Sequence, residues 1–212
     1  MTWIDISVPL AAHAPAWPGD TPYEARWTWS QEAGSSVNVS AITLSPHVGT
    51  HADAPYHVRR DWASSERLAT DAFIGECTLV DVSQHRGELQ LAALGEIAEG
   101  GGGNVPERLL LRTGCSVAGG VFPEAWPWLA ADAVRLLVAR GLRLLGVDAP
   151  SVDARDSTML DVHNALFAAG AFNLENLDLR QVAQGDYDLF AVPLAIVGLD
   201  AAPVRALLRR RA

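Results

Sequence analysis

Residues 47–57 read HVGTHADAPYH, and no other stretch of the chain is as rich in side chains that bind metal ions. Three of the six histidines, His47, His51 and His57, lie within these eleven residues together with Asp53. Imidazole nitrogens and carboxylate oxygens suit a borderline divalent ion such as zinc, or a harder one such as manganese. The stretch therefore predicts a metal-centred active site.

The local conformation of this stretch follows from its turn residues. A helix would place His47 and His51 on one face, but Gly49 weakens a helix and Pro55 removes a helical hydrogen bond. A straight strand would place the four side chains on one face but spread them over roughly 33 Å. The remaining interpretation is a strand that ends near Ser45 and continues into a bent loop. A polar loop with merely hydrogen-bonded histidines is the alternative, and the crowding of the histidines favours the metal site.

Length and composition indicate the class of protein. The 212 residues fit one domain, residues 1–212, and 49% hydrophobic with 19% charged residues is typical of a compact soluble protein. The net charge of −9 argues against nucleic acid as a partner, and the basic cluster at 209–211 is interpreted as solvated. The first residues do not resemble a signal peptide, and no run of 18 apolar residues predicts a membrane span. We therefore expect a cytoplasmic enzyme without membrane contact.

Alternating or fully apolar segments bounded by turn residues predict the strands. They lie at 4–10, 23–30, 37–45, 77–82, 109–112, 142–147 and 189–197. Four glycines at 100–103 are interpreted as a surface loop, because no Gly-Lys-Ser/Thr follows them as in a phosphate-binding loop.

Helices are fewer than strands. Amphipathic patterns predict them at 91–99, at 130–140 and from about residue 162, with Asp161 as the N-cap of the last helix and Gly170 as its stop. A β-rich first third followed by strands mixed with a few helices predicts a single α/β domain with a mixed sheet.

Two residues in the second half of the chain extend the candidate site. His163 lies in the first turn of the last predicted helix, where the positive end of the helix dipole favours the neutral ring that a metal requires. Glu175 lies within the apolar, strand-like segment 172–177. A buried carboxylate without a partner is costly, so we expect a cation beside it.

The sequence also resembles a known family. Residues 47–57 match the signature His-x-Gly-Thr-His-x-Asp-x-Pro-x-His of the metal-dependent cyclase superfamily, which includes the bacterial kynurenine formamidases, and no position departs from it. The similarity to the formamidase branch extends over nearly the whole chain. It includes DIS at 5–7, WPGD at 17–20, GVDAPSVD at 146–153 and LENLD at 174–178.

The resemblance implies a swivelling β/β/α-type cyclase fold, a homodimer and a site with two divalent ions, usually zinc. By position, His47, His51 and Asp53 would hold one ion. Asp53 would bridge to the second ion, which His163 also binds, and Glu175 would contact both.

The resemblance also implies an activity, the hydrolysis of N-formyl-L-kynurenine to L-kynurenine and formate in tryptophan degradation. His57 would be the catalytic acid/base, because an imidazole with a pKa near 6.5 exchanges protons near neutral pH. Trp17 would line the pocket for the small aromatic formamide, where its ring can stack on an aniline. One alternative is another amide hydrolase of the family, such as one that opens isatin. A different class is a non-catalytic metal-binding protein, which would have saturated coordination without an open position.

Overall fold

A seven-stranded mixed sheet forms the centre of the molecule. The structure is a computed structural model that describes residues 2–95, 97 and 105–211. Its strands are β1 (Ile4–Asp5), β2 (Glu24–Trp29), β3 (Val39–Thr43), β4 (His51–Asp53), β5 (Ile74–Asp81), β6 (Glu88–Leu89), β7 (Arg108–Arg112), β8 (Trp128–Leu129), β9 (Leu144–Val147), β10 (Phe172–Leu174), β11 (Gly185–Phe190), β12 (Ala201–Pro203) and β13 (Leu207–Arg210).

The order in the main sheet is β1-β13-β11-β5-β7-β9-β10. The pairs from β5 to β10 are parallel, whereas β1, β13, β11 and β5 pair antiparallel. There are also three two-stranded sheets among the described residues, β2 with β3, β4 with β12 and β6 with β8. The predicted α/β class with a mixed sheet is confirmed.

The central parallel strands carry the core. Every residue of β9 is buried, as are Leu109, Leu110 and Leu111 of β7. Such unbroken apolar runs are typical of parallel strands that are covered on both faces. Gly146 is paired with Leu110 in register, and a Cβ at this glycine would lie 2.4 Å from Leu110 Cδ2. The close packing of these two strands therefore requires glycine at 146.

Two helices, α1 (Ala131–Ala139) and α2 (Asp161–Ala168), pack against each other. Each is followed by a glycine with positive φ, Gly141 at 107° and Gly170 at 73°, so the predicted stop at Gly170 is confirmed. Asp161 was predicted to be the N-cap of α2, and this is wrong because it is the first helical residue. No helix in the described part of the chain is long and apolar enough to cross a membrane.

Three element predictions differ from the structure. The strand predicted at 4–10 covers only Ile4–Asp5. In the segment 91–99, predicted to be helical, a 3₁₀ turn covers Leu91–Leu94. Residues 96 and 98–104, which include the four glycines, lie outside the described residues. The strand predicted at 189–197 is wrong, because β11 ends at Phe190. In β11, the buried Tyr187 and Leu189 alternate with the more exposed Asp186, Asp188 and Phe190, which is the half-buried pattern of a strand.

The basic cluster near the C-terminus lies at the surface and is partly paired with carboxylates. Arg209 lies in β13 and is half-buried, with its Nη2 2.8 Å from Asp188 Oδ2. Arg211 forms an ion pair with Glu76. The prediction of a solvated cluster is confirmed for Arg210 and Arg211, which are exposed. Arg209 and Arg211 keep 42% and 39% of their side chains exposed within these ion pairs.

Candidate metal centre

The stretch 47–57 turns sharply, as its glycine and proline indicate. Gly49 has a φ of 72°, and a Cβ there would lie 2.7 Å from Leu10 Cδ2, so both conformation and space require glycine. The chain then forms β4 (His51–Asp53) and a 3₁₀ turn at Pro55–His57. The predicted bend is present, but β4 was not predicted. Its partner β12 is about 150 residues away, and no local pattern reveals that pairing.

Three donor atoms of this stretch form a small triangle. His47 Nδ1 is 3.2 Å from His51 Nε2 and 3.0 Å from Asp53 Oδ1, and His51 Nε2 is 3.3 Å from Asp53 Oδ1. Donors that hold one zinc ion tetrahedrally at 2.0–2.1 Å lie about 3.3 Å apart. Asp53 Oδ1 is buried and has no hydrogen-bond partner, although both nitrogens are close. The spacing of the three atoms therefore matches three ligands of one cation better than it matches direct hydrogen bonds among them.

A second group of donors shares its carboxylates with the first. His163 Nε2 is 3.0 Å from Asp53 Oδ2 and 3.2 Å from Glu175 Oε1. The other oxygen of Glu175, Oε2, is 3.4 Å from His51 Nε2. Asp53 and Glu175 thus each present one oxygen to each group. The structure brings the late residues, His163 and Glu175, to the early cluster.

Backbone pairing holds these two parts of the chain together. Glu175 N donates to His51 O at 3.0 Å, and His51 N donates to Glu175 O at 3.3 Å. Glu175 directly follows β10, which is parallel to β9 in the main sheet. The site therefore lies at the junction of the main sheet and the small sheet that contains β4.

Four of the five donors are buried, His47 is partly buried, and the group carries perturbed charges. His51 and Asp53 are each 1% exposed, and His163 and Glu175 are 2% and 3% exposed. Burial opposes protonation of His51, but the neighbouring Asp53 raises the pKa of His51 to about 9. Burial raises the pKa of Glu175 and so does Asp53, yet hydrogen bonds from His163 and His51 lower that pKa to about 2. Without an ion, protons on the imidazoles compensate the buried carboxylates.

The expectation that the helix dipole keeps His163 neutral is wrong for the metal-free protein. Burial lowers the pKa of His163, but hydrogen bonds to Asp153, Asp53 and Glu175 raise this pKa well above its usual value. Three nearby carboxylates outweigh the partial charge of a helix end, which is about half an elementary charge.

Zinc binding to the metal-free protein is expected to release protons at pH 7. The pKa values of His47 and His51 are raised from 6.5 to about 10 and about 9, so both rings are protonated there, whereas a metal needs neutral nitrogens. Protonation of these rings stabilises the metal-free fold below pH 6.5, and this contribution is lost as the pH rises through 9 to 10. Zinc affinity is expected to rise over the same interval. Calorimetry in buffers of different ionisation enthalpy measures the released protons, and a buffer-independent heat would contradict this expectation.

Two further polar side chains, for which the sequence predicts no role, orient the donors. Asp153 Oδ2 is 2.6 Å from His163 Nδ1, and the Asp153 carboxylate also accepts from the backbone N–H groups of Val162 and His163. Asp153 therefore caps α2 in place of Asp161 and fixes the ring of His163. Asn173 Nδ2 donates to Asp53 Oδ2 at 2.7 Å and to Glu175 Oε1 at 3.0 Å. Asp153 is the last residue of the GVDAPSVD segment at 146–153, which is one of the matches to the formamidase branch. No local feature of the sequence distinguishes Asn173.

Asp200 is a third orienting residue. Its Oδ2 lies 2.9 Å from His47 Nε2 and 3.6 Å from His57 Nδ1. The contact with His47 lowers the pKa of Asp200 below its ordinary value. A carboxylate on the far nitrogen of a ligating imidazole fixes the tautomer that presents the other nitrogen to the metal. Asp200 comes to the site through the β4–β12 pairing, so the sequence held no signal for it.

Replacing Asp200 with alanine is expected to weaken zinc binding about 10- to 100-fold, the usual effect of removing such a partner. Competition with a chromophoric chelator measures the affinity. Asp178→Ala is the matched control, because Asp178 forms an ion pair with Arg180 instead of with a site histidine. Equal zinc affinities of the two variants would contradict an orienting role for Asp200.

A cavity of about 420 Å³ opens onto the donor groups. Its lining includes His47, His57 and Trp17. Trp17 packs edge-to-face against Phe122 at 5.4 Å and against Trp126 at 6.0 Å between ring centroids. The side chain of His57 is 30% exposed, compared with 19% for His47 and at most 4% for the other four donors. The cavity therefore combines an aromatic wall, an accessible imidazole and the candidate metal centre.

Comparisons with known proteins give the family. A family model, Cyclase ("Putative cyclase"), matches residues 4–154. The chain belongs to the Cyclase family. The chain is similar to the "Kynurenine formamidase" of Bacillus cereus. The two are 44% identical, and the match covers 98% of this chain and 97% of the Bacillus protein.

Solved structures agree with this assignment. One described as "The Structure Of Potential Metal-Dependent Hydrolase With Cyclase Activity" has a TM-score of 0.82 and 28% identity, covering 99% of both chains. "Isatin hydrolase A" from Labrenzia aggregata has a TM-score of 0.83 at 24% identity, covering 98% of this chain and 93% of its own. At this identity the similarity supports the fold and no shared activity. The predicted cyclase fold and the resemblance to the formamidase branch are both confirmed.

Proposed function

We propose that this Cyclase-family protein is an arylformamidase that hydrolyses the linear amide bond of N-formyl-L-kynurenine to give L-kynurenine and formate. The observation that carries the proposal is the convergence of two His/Asp/Glu donor groups on an aromatic-walled cavity. The 44% identity to a Bacillus cereus protein named kynurenine formamidase supports this substrate, whereas the isatin hydrolase neighbour is only 24% identical. We also propose that the reaction takes place in the cytoplasm.

We further propose that two divalent ions, zinc or else manganese, occupy the centre. His47, His51 and Asp53 would hold one ion, and Asp53, His163 and Glu175 would hold the other, with Glu175 also facing the first. The sharing of Asp53 and Glu175 oxygens between the two donor groups supports this assignment. Bound ions would lower the pKa of water from 15.7 towards about 7 and polarise the formyl oxygen.

The protein's own residues position the substrate and move the proton. The aromatic wall at Trp17 and Phe122 holds the aniline ring, so that the formyl group faces the donor groups. His57 accepts a proton as water oxygen bonds to the formyl carbon. It returns this proton to the aniline nitrogen as the carbon–nitrogen bond breaks, which leaves a free amine and formic acid, and the acid loses its proton to solvent to give formate.

An assay of formate or amine release tests the proposal. The metal-loaded protein is given N-formyl-L-kynurenine, formanilide and isatin side by side. We expect the highest kcat/KM for N-formyl-L-kynurenine. A preference for isatin would replace the proposed reaction with ring opening. No turnover of any of the three would favour the non-catalytic metal-binding protein, against which the open cavity beside the donors argues.

A homodimer is also proposed, and one exposed hairpin supports it. Strands β2 and β3 form a two-stranded sheet apart from the main sheet. This hairpin leaves Trp27 65%, Trp29 58% and Ile42 56% exposed. Exposed clusters of large apolar side chains commonly mark interaction surfaces, and aromatic residues are enriched there.

Replacing Trp27 with glutamate is expected to shift the protein from dimer to monomer, because a charge would be buried in the interface. Sedimentation velocity at micromolar concentration measures the change. Leu136→Glu on α1 is the matched control, because Leu136 is also an exposed apolar residue, at 48%, but lies outside the hairpin. A Trp27→Glu variant that remains dimeric would place the interface elsewhere.

A further inference from the structure

Two charged side chains line the cavity besides the candidate metal ligands and His57. They are Arg155 and Asp20. Arg155 is the single arginine or lysine among the described residues of this lining. The reaction proposed above uses neither of them. A pocket for an uncharged formanilide alone would not need a charge of each sign beside its aromatic wall.

Arg155 is an exposed residue that lies beside the aromatic wall and has donors to spare. Its Nη1 donates to Glu124 O at 3.0 Å, and its guanidinium carbon lies 5.7 Å from the ring centroid of Phe122. Within the part of the chain that the structure describes, no carboxylate pairs with Arg155. A guanidinium has five N–H donors, so most of them remain available to an anion.

Asp20 is fixed to the other half of the same wall. The Asp20 N–H donates to Trp17 O at 2.9 Å, and Asp20 Oδ1 accepts from Thr21 N at 2.6 Å. Its carboxylate therefore belongs to the turn that carries Trp17. Trp17 and Phe122 are in edge-to-face contact, and Arg155 and Asp20 line the same cavity as this aromatic pair.

We propose that Arg155 and Asp20 recognise an α-amino-acid group on the substrate, Arg155 through its carboxylate and Asp20 through its ammonium. The site then selects formanilides with a zwitterionic side chain over plain formanilides. This inference rests on the proposed function and deepens it by assigning the residues that determine specificity. A planar guanidinium matches a carboxylate in a two-pronged contact. Binding energy from this remote end would hold the formyl group in place for reaction.

The test measures kcat/KM of two variants on each of three substrates. Arg155→Gln removes the positive charge but keeps a donor for Glu124 O, and Asp20→Asn keeps the acceptor for Thr21 N. The substrates are N-formyl-L-kynurenine, its analogue without the carboxylate and its analogue without the amino group. Arg140→Gln is the matched control, because Arg140 is an exposed arginine at the end of α1 and outside the cavity lining.

For Arg155→Gln, we expect kcat/KM to fall about tenfold more on the two carboxylate-bearing substrates than on the analogue without it, the scale of one exposed charged hydrogen bond. Asp20→Asn should show the same selectivity for the two amine-bearing substrates. Equal losses on all three substrates, or losses matched by Arg140→Gln, would overturn the inference.

A binding measurement separates this inference from the proposed function. Calorimetry with L-kynurenine and with kynuramine, which lacks the carboxylate, needs no turnover. Arg155→Gln should weaken L-kynurenine binding about tenfold relative to kynuramine binding. If wild-type protein released no formate yet showed this pattern, the proposed reaction would be wrong and the amino-acid site would stand. If wild-type protein were active but bound both compounds equally, the proposed reaction would stand and the amino-acid site would be wrong.

Discussion

Treatment with EDTA is expected to abolish formate release from N-formyl-L-kynurenine, and added zinc is expected to restore it. Free water has a pKa near 15.7, so the protein without its ions lacks a competent nucleophile at neutral pH. The burial of Asp53 and the missing hydrogen bond at its Oδ1 make a cation the natural occupant of the centre. Formate release, followed together with the metal content by elemental analysis, measures the loss and the recovery.

Asp53→Asn provides a genetic version of the same experiment. The amide has nearly the size of the carboxylate but no charge, and Asp53 faces both donor groups. We expect this variant to lose bound metal and activity together. Asp178→Asn, on the surface, is the control and should keep both. Full turnover by a sample shown to contain no metal would exclude the proposed mechanism.

Replacing His57 with alanine is expected to reduce kcat by roughly 10²–10⁴, the usual contribution of a general acid/base, while the metal content stays unchanged. The physical reason lies in the accessibility of the ring. The side chain of His57 is 30% exposed, whereas the side chains of His51 and His163 are 1% and 2% exposed. An accessible imidazole can exchange its proton with both water and substrate. Single-turnover kinetics and elemental analysis of the same preparation measure the two quantities.

The metal content of this variant is the informative part of the experiment. Ligand atoms of His57, His47 and Asp53 all lie within 4.8 Å of one another, so His57 is also close enough to be a ligand. If His57→Ala released an ion, His57 would be a ligand and another group would have to move the proton. His85→Ala, at an exposed histidine outside the cavity lining, should change neither quantity.

Predictions from the sequence were accurate where the decisive interactions are local. The bend at Gly49, the buried strand β9 and the end of α2 at Gly170 each depend on a few neighbouring residues. Predictions failed where distant residues decide. The N-cap of α2 comes from Asp153, and the end of β11 depends on its pairing with β5 and β13.

The sequence by itself indicated the candidate donor side chains and the family to which the chain belongs, because both are carried by residue types at fixed spacing. Only the tertiary structure decided which oxygen of Asp53 faces which histidine, and that Asp200 contacts His47 and His57. The physical reason is strand register. The pairing of β4 with β12 and the bridge from His51 to Glu175 place side chains more than 100 positions apart within hydrogen-bonding distance, and a shift by one residue would turn them to the opposite face.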